Sequence, residues 1–425
     1  MLRSTTFRYR SFILLLLVVM LASLNVFTPL RITTDSFRYL NIMEYLGGGL
    51  GPDSLAAADF YPHGYPYLLL WLERAHALNA AVLVSLNIIS VIGSSYLFTR
   101  FFPVKQVSLF FAFILMSFIN VKHMTLPVAD QLFTLFLFGS ILCAANGFEK
   151  SAAWFIPAIM LAAIAIYLRT AGIVLFAGLA LYLLYRGMGR IKSHKHYRLI
   201  LFVLLILLLA IIAGIVLLPE GKVSYIDQLA LGKCFTHPSS IITRLGYHLQ
   251  EMGEMTINIP ASQVMGRLHL AFIPYLFILA GLIVAYMVIR KAIILCLYQK
   301  LPFWIFMAYA AMIFVWPYYD TRFLIPLMPF ALYCLFPQFD PGLRAGYPAR
   351  AVAGVFIFLG FVSLCYSAML SLSKPKFLQY YGNEPKLTNA YKVHFEKRDA
   401  GQSSAAHNDR DTTARIIYLL DKYDQ

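Results

Sequence analysis

Charge is what this 425-residue chain has least of: Asp, Glu, Lys and Arg together make up 13% of it, and acidic residues number only 20. Hydrophobic residues account for 60%, and the mean hydropathy is +0.70. A soluble domain this apolar would lack the polar surface to stay in solution, so the usual expectation of one domain per ~150 residues does not apply. Cysteine is scarce too. Cys143, Cys234, Cys296, Cys334 and Cys365 are scattered and odd in number, four in apolar runs and Cys234 alone in a long loop. That pattern excludes a disulfide framework and offers no metal motif. No Walker loop, no GxGxxG after a strand, no GxSxG elbow and no HExxH is present, which sets aside an ATP-driven pump and a zinc protease. Internal repeats and low-complexity segments are absent as well.

What the chain does have is repeated apolar runs of roughly 17–25 residues separated by short polar breaks, the signature of membrane helices. Spans are expected at about 11–30, 79–99, 106–120, 127–145, 152–168, 171–185, 199–218, 268–289, 301–317, 323–337 and 351–371. The fold class is therefore an all-α polytopic membrane protein of about eleven transmembrane helices. The division within 152–185 is the least sharp. A cleaved signal peptide competes for the first run, which follows Arg3, Arg8 and Arg10. The run is long for a signal, and Thr28–Arg31 lacks small cleavage-site residues, so an uncleaved first span is the reading.

The formal charge of +15 would suit nucleic-acid binding in a soluble protein. Here the basic residues cluster in short segments beside apolar runs, as in Arg186, Arg190, Lys192, Lys195 and Arg198. The positive-inside rule then puts the N-terminus on the cytoplasmic side, and no nucleic-acid partner is expected. The lack of a eukaryotic retention signal and the compact tail point to a bacterial inner membrane as the expected location. Two external loops are long, at about 31–78 and 219–267, the second polar with Tyr225, His237 and Tyr247. The first contains an amphipathic stretch from Asp35 to Leu46, the glycine-rich turn 47–51, and a block of aromatics and prolines. The membrane domain is read as 1–373, and 374–425 as a short external tail with a weak helical pattern over Thr412–Tyr423.

Ionisable residues at membrane spans are costly and need a reason. In this orientation Asp35, Lys122, Asp130, Arg169, Asp320 and Arg322 all lie at external span ends or in external loops, so a bundle can gather them around one outward cavity. Asp35, with Arg38 and Tyr39 on one helical face, fits a reactive carboxylate or a helix cap equally. Asp130 opens an apolar span, where a dipole partner and a functional acid are both reasonable. Arg169 and Arg322 either snorkel to the interface or hold a phosphate in bidentate fashion. Lys122 and His123 precede Asp130 and could contact phosphate or the interface. The Tyr61-Pro62-His63-Gly64-Tyr65-Pro66-Tyr67 block fits sugar stacking or an ordinary interfacial belt. His63 has no partner at metal-ligand spacing, and no metal or cofactor is expected.

Asp35-Ser36-Phe37-Arg38-Tyr39-Leu40, the turn at 47–51 and the 61–70 block together resemble the first external loop of GT-C-class membrane glycosyltransferases. Among these, the lipid A aminoarabinose transferase and the protein O-mannosyltransferases are the nearest in pattern. His63 stands where the class has the second proline of its block, and Ser36 where many members have a second carboxylate. The resemblance covers roughly 11–340 in layout and is specific in the first loop and in 320–329. It implies catalysis by Asp35, alone or with Asp130, and substrate contacts from Arg38, Tyr39, His63, Tyr65, Lys122, Arg169 and Arg322. The implied partners are a polyprenyl-phosphate-linked sugar donor, an envelope glycan, lipid or protein acceptor, and the bilayer. A transporter or flippase of lipid-linked saccharides is the alternative from another class, and a non-catalytic assembly subunit a third; a transporter often shows paired inverted repeats, and no second copy of the first-loop pattern occurs.

Overall fold

The structure, a computed structural model, describes residues 2–188, 238–339, 346–381, 385–396 and 411–424. The expected span at 199–218, with Cys234, Tyr225 and His237, lies outside them. The protein is all-helical, 80% helix with no strand among the described residues. Helices run in chain order as α1 (Leu2–Ser23), α2 (Thr34–Leu46), α3 (Gly64–Arg74), α4 (Ala80–Phe101), α5 (Val107–Met116), α6 (Phe118–His123), α7 (Asp130–Glu149), α8 (Phe155–Leu168) and α9 (Val174–Met188). They continue as α10 (Pro238–Ile257), α11 (Ala261–Leu268), α12 (Ile273–Ile294), α13 (Leu301–Val315), α14 (Met328–Leu335), α15 (Tyr347–Leu372), α16 (Lys374–Tyr380), α17 (Pro385–Glu396) and α18 (Thr412–Tyr423).

Among the described residues, six stretches are long and apolar enough to cross a membrane: Tyr9–Phe27, Ala80–Phe101, Asp130–Glu149, Thr170–Gly187, Ile273–Ile294 and Ala349–Leu372. They mark a multi-pass membrane protein. Val107–Met116, Ala152–Leu168 and Leu301–Val315 are apolar but shorter. The run at 152–185 divides at Arg169, whose extended backbone ends α8. The run at 323–337 is a single 3-10 turn, Thr321–Leu324, followed by the eight residues of α14.

Helix breaks in an apolar bundle free backbone groups that protein must satisfy. Between α5 and α6 the chain turns at Ser117, and Asn258 repairs the break. Its Oδ1 accepts the Phe118 amide at 2.7 Å, while its Nδ2 donates to the carbonyls of Met116 at 3.2 Å and Phe356 at 3.0 Å. Asn87 does the same for the stretch before α7, donating to the carbonyls of Met124 and Leu126 at 3.1 and 2.9 Å. The Asn258 bonds fix the start of α6, and those of Asn87 fix the segment between Lys122 at its end and Asp130 at the start of α7. The polar stretch 238–257, part of the segment read as a loop, is the long helix α10, packed along α12. Gly253 and Gly281 make that approach possible, because a side chain at either would strike the other helix's backbone at Phe277 or Leu249.

The helices after Leu372 are packed onto the first loop. Tyr391 is fully buried, and its hydroxyl bridges the Ile32 amide (2.9 Å) and the Leu30 carbonyl (2.7 Å). Asp424 accepts the Leu30 amide, Arg415 donates to Asn41, and Lys422 and Tyr423 meet Glu44 on α2. Arg31 anchors the far end of that segment. It is 5% exposed, and its guanidinium donates to Thr28, Thr125, Ser367 and Ser371.

His394 on α17 sits between Asp421 (2.6 Å) and Asp424 (3.0 Å) of the α18 end. Burial opposes its charge, but the hydrogen bonds to Asp424 and Asp421 win and raise its pKa. A raised histidine stabilises most below its unfolded value, and that contribution fades as pH climbs through the folded one. The α17–α18 contact is therefore expected to weaken by ~1 kcal/mol between pH 6 and pH 9. Amide protection factors in 385–396 and 411–424, which remove the intrinsic pH dependence of exchange, should fall across that range in the wild type and stay level in His394→Gln.

Candidate active site

Asp35 reaches the site because another residue caps its helix. Thr33 is the N-cap of α2: its Oγ1 accepts the Ser36 amide at 3.4 Å, and Ser36 Oγ accepts the Thr33 amide at 2.6 Å. This reciprocal box occupies Ser36 and leaves the Asp35 side chain free of the cap. The Asp35 carboxylate turns instead to two partners. Tyr61 donates its hydroxyl to Oδ1 at 2.8 Å, and Arg322 pairs with Oδ2. Asp35 lies in the first turn of α2, where the helix dipole also favours its charge.

Arg322 comes from the 3-10 turn between α13 and α14, a turn capped by Asp320, which accepts the Arg322 amide at 3.1 Å. The Arg322 Nε also lies 2.8 Å from Asp320 Oδ2. The guanidinium thus sits between two carboxylates. Burial works against its charge, but Asp320 and Asp35 more than offset this and hold its pKa above the usual range. Burial likewise disfavours the Asp320 carboxylate, yet Arg322 and His123 hold its pKa below the usual value. Its side chain remains 30% exposed, so a ligand can reach it.

Asp130 and Arg169 form a second pair beside the first. Asp130 is the first residue of α7 but makes no cap; its Oδ1 pairs with Arg169 at the end of α8. The two pairs meet on Phe323, whose ring centre lies 5.2 Å from the Arg169 guanidinium carbon and 5.1 Å from that of Arg322. Such stacking favours arginine over lysine here. Asp130 Oδ2 is buried without a hydrogen-bond partner. Lys122, at the end of α6, is exposed and adds positive charge near Asp320. Its neighbour His123 is buried, with Nδ1 2.7 Å from the Ile119 carbonyl and Nε2 3.9 Å from Asp320. Burial, reinforced by Lys122, pushes the His123 pKa down to about 3, so it is neutral at physiological pH.

The 61–70 block is set against these charges from the side. Gly64 faces the backbone of Tyr167 and Leu168 so closely that a side chain would collide with it, and the Tyr67 and Tyr167 rings stack at 6.2 Å. The block is thereby clamped directly before Arg169. Arg38 does not pair with Asp35. It makes a bidentate bridge to Asp59, 2.6 Å for each bond, and lies 3.9 Å over the Tyr61 ring. Asp59 also accepts the Tyr61 amide at 3.0 Å, so Asp59 and Arg38 together aim the Tyr61 hydroxyl at Asp35. Tyr39 and Tyr65 are buried and pack edge-on at 5.1 Å, with Tyr39 also against Tyr61. His63 is half-buried at the start of α3 with its ring 6.4 Å from Tyr67. The structure thus joins Asp35, Arg322, Arg169, Asp130 and Lys122 in one cluster, whereas Arg38, Tyr39 and Tyr65 support it from behind.

Behind Asp320 lies a buried polar network that the sequence did not announce. His248 on α10 has Nδ1 2.7 Å from Glu251 and Nε2 2.8 Å from the Trp316 carbonyl. The Nε2 proton goes to the carbonyl, and one further proton is shared between His248 and Glu251. Glu251 also accepts the backbone amide of Asp320. Glu254 meets the Tyr319 hydroxyl and accepts the Ala261 amide at 3.0 Å. Together these bonds hold the 316–320 strip that presents Asp320 and Arg322. The signal in sequence is faint, a His248/Glu251 pair at i,i+3 with Glu254 one turn later.

Removing the Glu251 acceptor strands buried donors, each worth ~1–3 kcal/mol. Glu251→Ala should therefore lower thermal stability by that order. Glu251→Gln, which keeps an acceptor for Asp320 and can donate to His248, should cost clearly less. Equal losses in a melting experiment would rule out this network as the brace of the strip. Compared with known proteins, the chain matches no family model, no curated protein and no solved structure.

Proposed function

We propose that the protein is a membrane glycosyltransferase that moves a sugar from a polyprenyl-phosphate donor to an envelope acceptor on the external face of a bacterial inner membrane. The reading takes the chain as about eleven spans with a cytoplasmic N-terminus, as the basic clusters argue. One observation carries it: a carboxylate oriented by a tyrosine hydroxyl, touching one of two arginines that share a phenylalanine face, with an exposed lysine beside them. Such a group of residues suits the departure of an anion from an acceptor being deprotonated.

The chemistry needs little more. The donor is a phosphodiester with one negative charge. Asp35 takes the proton of the acceptor hydroxyl or amine as that atom attacks the anomeric carbon. The bond from that carbon to the phosphate oxygen breaks, and its electron pair leaves with polyprenyl phosphate. The leaving group gains a negative charge, so it needs cations more than a strong acid. Arg322, Arg169 and Lys122 supply them, and Asp130 keeps Arg169 oriented. A donor bound on the external face is lipid-linked, because nucleotide sugars are cytosolic. The aromatic block around His63 and Tyr67 offers the surface for the sugar.

A general base contributes about 10²–10⁴-fold to such a step. Asp35→Asn, which keeps the shape of the carboxylate, should lose transfer by that factor while still inserting in the membrane. The assay is release of polyprenyl phosphate from polyprenyl-phosphate sugars supplied with an envelope extract. Near-normal release by Asp35→Asn would remove Asp35 as base. No release by the wild type with the proper donor, alongside movement of the donor between leaflets, would favour a transporter instead.

A further inference from the structure

The site's would-be base and its would-be phosphate ligand occupy each other. Arg322 contacts Asp35 Oδ2 on one side and lies 2.8 Å from Asp320 Oδ2 on the other. A phosphate added to that guanidinium would make three anions around one cation, at distances where like charges repel strongly. One carboxylate has to yield. Asp320 is fixed: its Oδ1 accepts the Arg322 amide, and its own amide is bound to Glu251 within the buried network on α10. Asp130 is fixed too, with a side chain only 3% exposed against Arg169. Asp35 is different. Its helix is capped by Thr33 and Ser36 without it, and its second bond comes from the Tyr61 hydroxyl, which can hold the carboxylate after Arg322 lets go.

Lys122 completes the pattern. Among the described residues it is the cluster's cation without a carboxylate at ion-pair distance, and it is exposed on the Asp320 side. It is where an anion arriving from the lipid surface would first find an unmatched charge.

We propose that the donor's phosphate takes the place of the Asp35 carboxylate on Arg322, guided in by Lys122, so that Asp35 becomes a base only after the donor is bound. This rests on the glycosyltransferase reading above and deepens it into an order of events: donor first, acceptor second. The exchange keeps charge in balance. Before transfer, the donor and Asp35 each carry one negative charge. After it, the phosphate monoester carries two and Asp35 holds the acceptor's proton. As polyprenyl phosphate leaves, Asp35 gives that proton to water and returns to Arg322.

The test is equilibrium binding of a radiolabelled polyprenyl monophosphate to the purified full chain in nanodiscs. Asp35→Asn removes the competitor without removing the site, so it should bind the probe about tenfold more tightly than the wild type, while Arg322→Gln should bind it at least about tenfold more weakly. Unchanged or weaker binding in Asp35→Asn would overturn the exchange, and so would binding indifferent to Arg322. A second measurement uses the wild type alone. The probe should speed labelling of Asp35 by an apolar carbodiimide, read by peptide mass spectrometry, and slower or unchanged labelling would contradict the proposal. The failures separate cleanly. Loss of transfer in Asp35→Asn without a gain in phosphate affinity refutes the exchange alone, whereas retained transfer refutes the glycosyltransferase reading with it.

Discussion

A guanidinium and two carboxylates can sit at the end of a membrane bundle only if each charge is matched and each is held in place. The Asp35–Arg322–Asp320 group meets that condition with Lys122 beside Asp320 as the second cation, and much of the surrounding structure serves it. Three distant pieces of chain converge on it: the start of α2, the 3-10 turn at Thr321–Leu324, and the end of α6. The Asp130–Arg169 pair joins through Phe323. The net effect is a site whose anions and cations nearly cancel, so the cluster is affordable at low dielectric and also responsive to any added anion.

Two braces keep the group in register. On one side the buried His248–Glu251 pair and Glu254 fix the strip from Trp316 to Asp320. On the other, α17 and α18 grip the segment that leads into α2, through Tyr391, Asp424, Arg415 and the Glu44 contacts. Neither brace touches the side chains of Asp35 or Arg322. Both act by holding backbone, which is how a carboxylate near a bilayer surface is kept within hydrogen-bond reach of its partner. The 61–70 block is placed by a third device, the close backbone approach at Gly64.

Much of the membrane architecture was legible because it depends on local composition. The longest apolar runs are helices of membrane-crossing length, whereas 106–120, 152–168, 301–317 and 323–337 hold shorter ones, and the amphipathic stretch after Asp35 and the weak pattern over Thr412–Tyr423 are both helices. The choice between cap and functional acid at Asp35 could not be settled locally, because Thr33 and Asp35 are both good caps; the geometry gives the cap to Thr33. Arg38 lies at i,i+3 from Asp35 on one helix as the sequence suggested, yet its ion-pair partner is Asp59, 21 residues on, and its effect on the site passes through Tyr61. The polar composition of 238–257 suggested a loop, because its inward-facing His248, Glu251 and Glu254 are satisfied by partners far along the chain, such as the Trp316 carbonyl. Polar residues of that kind look solvent-exposed until their partners are known.

The most direct measurement is a cryo-EM structure of the protein in nanodiscs containing polyprenyl phosphate. The account predicts phosphate density against Arg322 and Lys122, with the Asp35 side chain turned from Arg322 toward Tyr61. Phosphate density elsewhere on the bundle, with Asp35 and Arg322 still in contact, would contradict it.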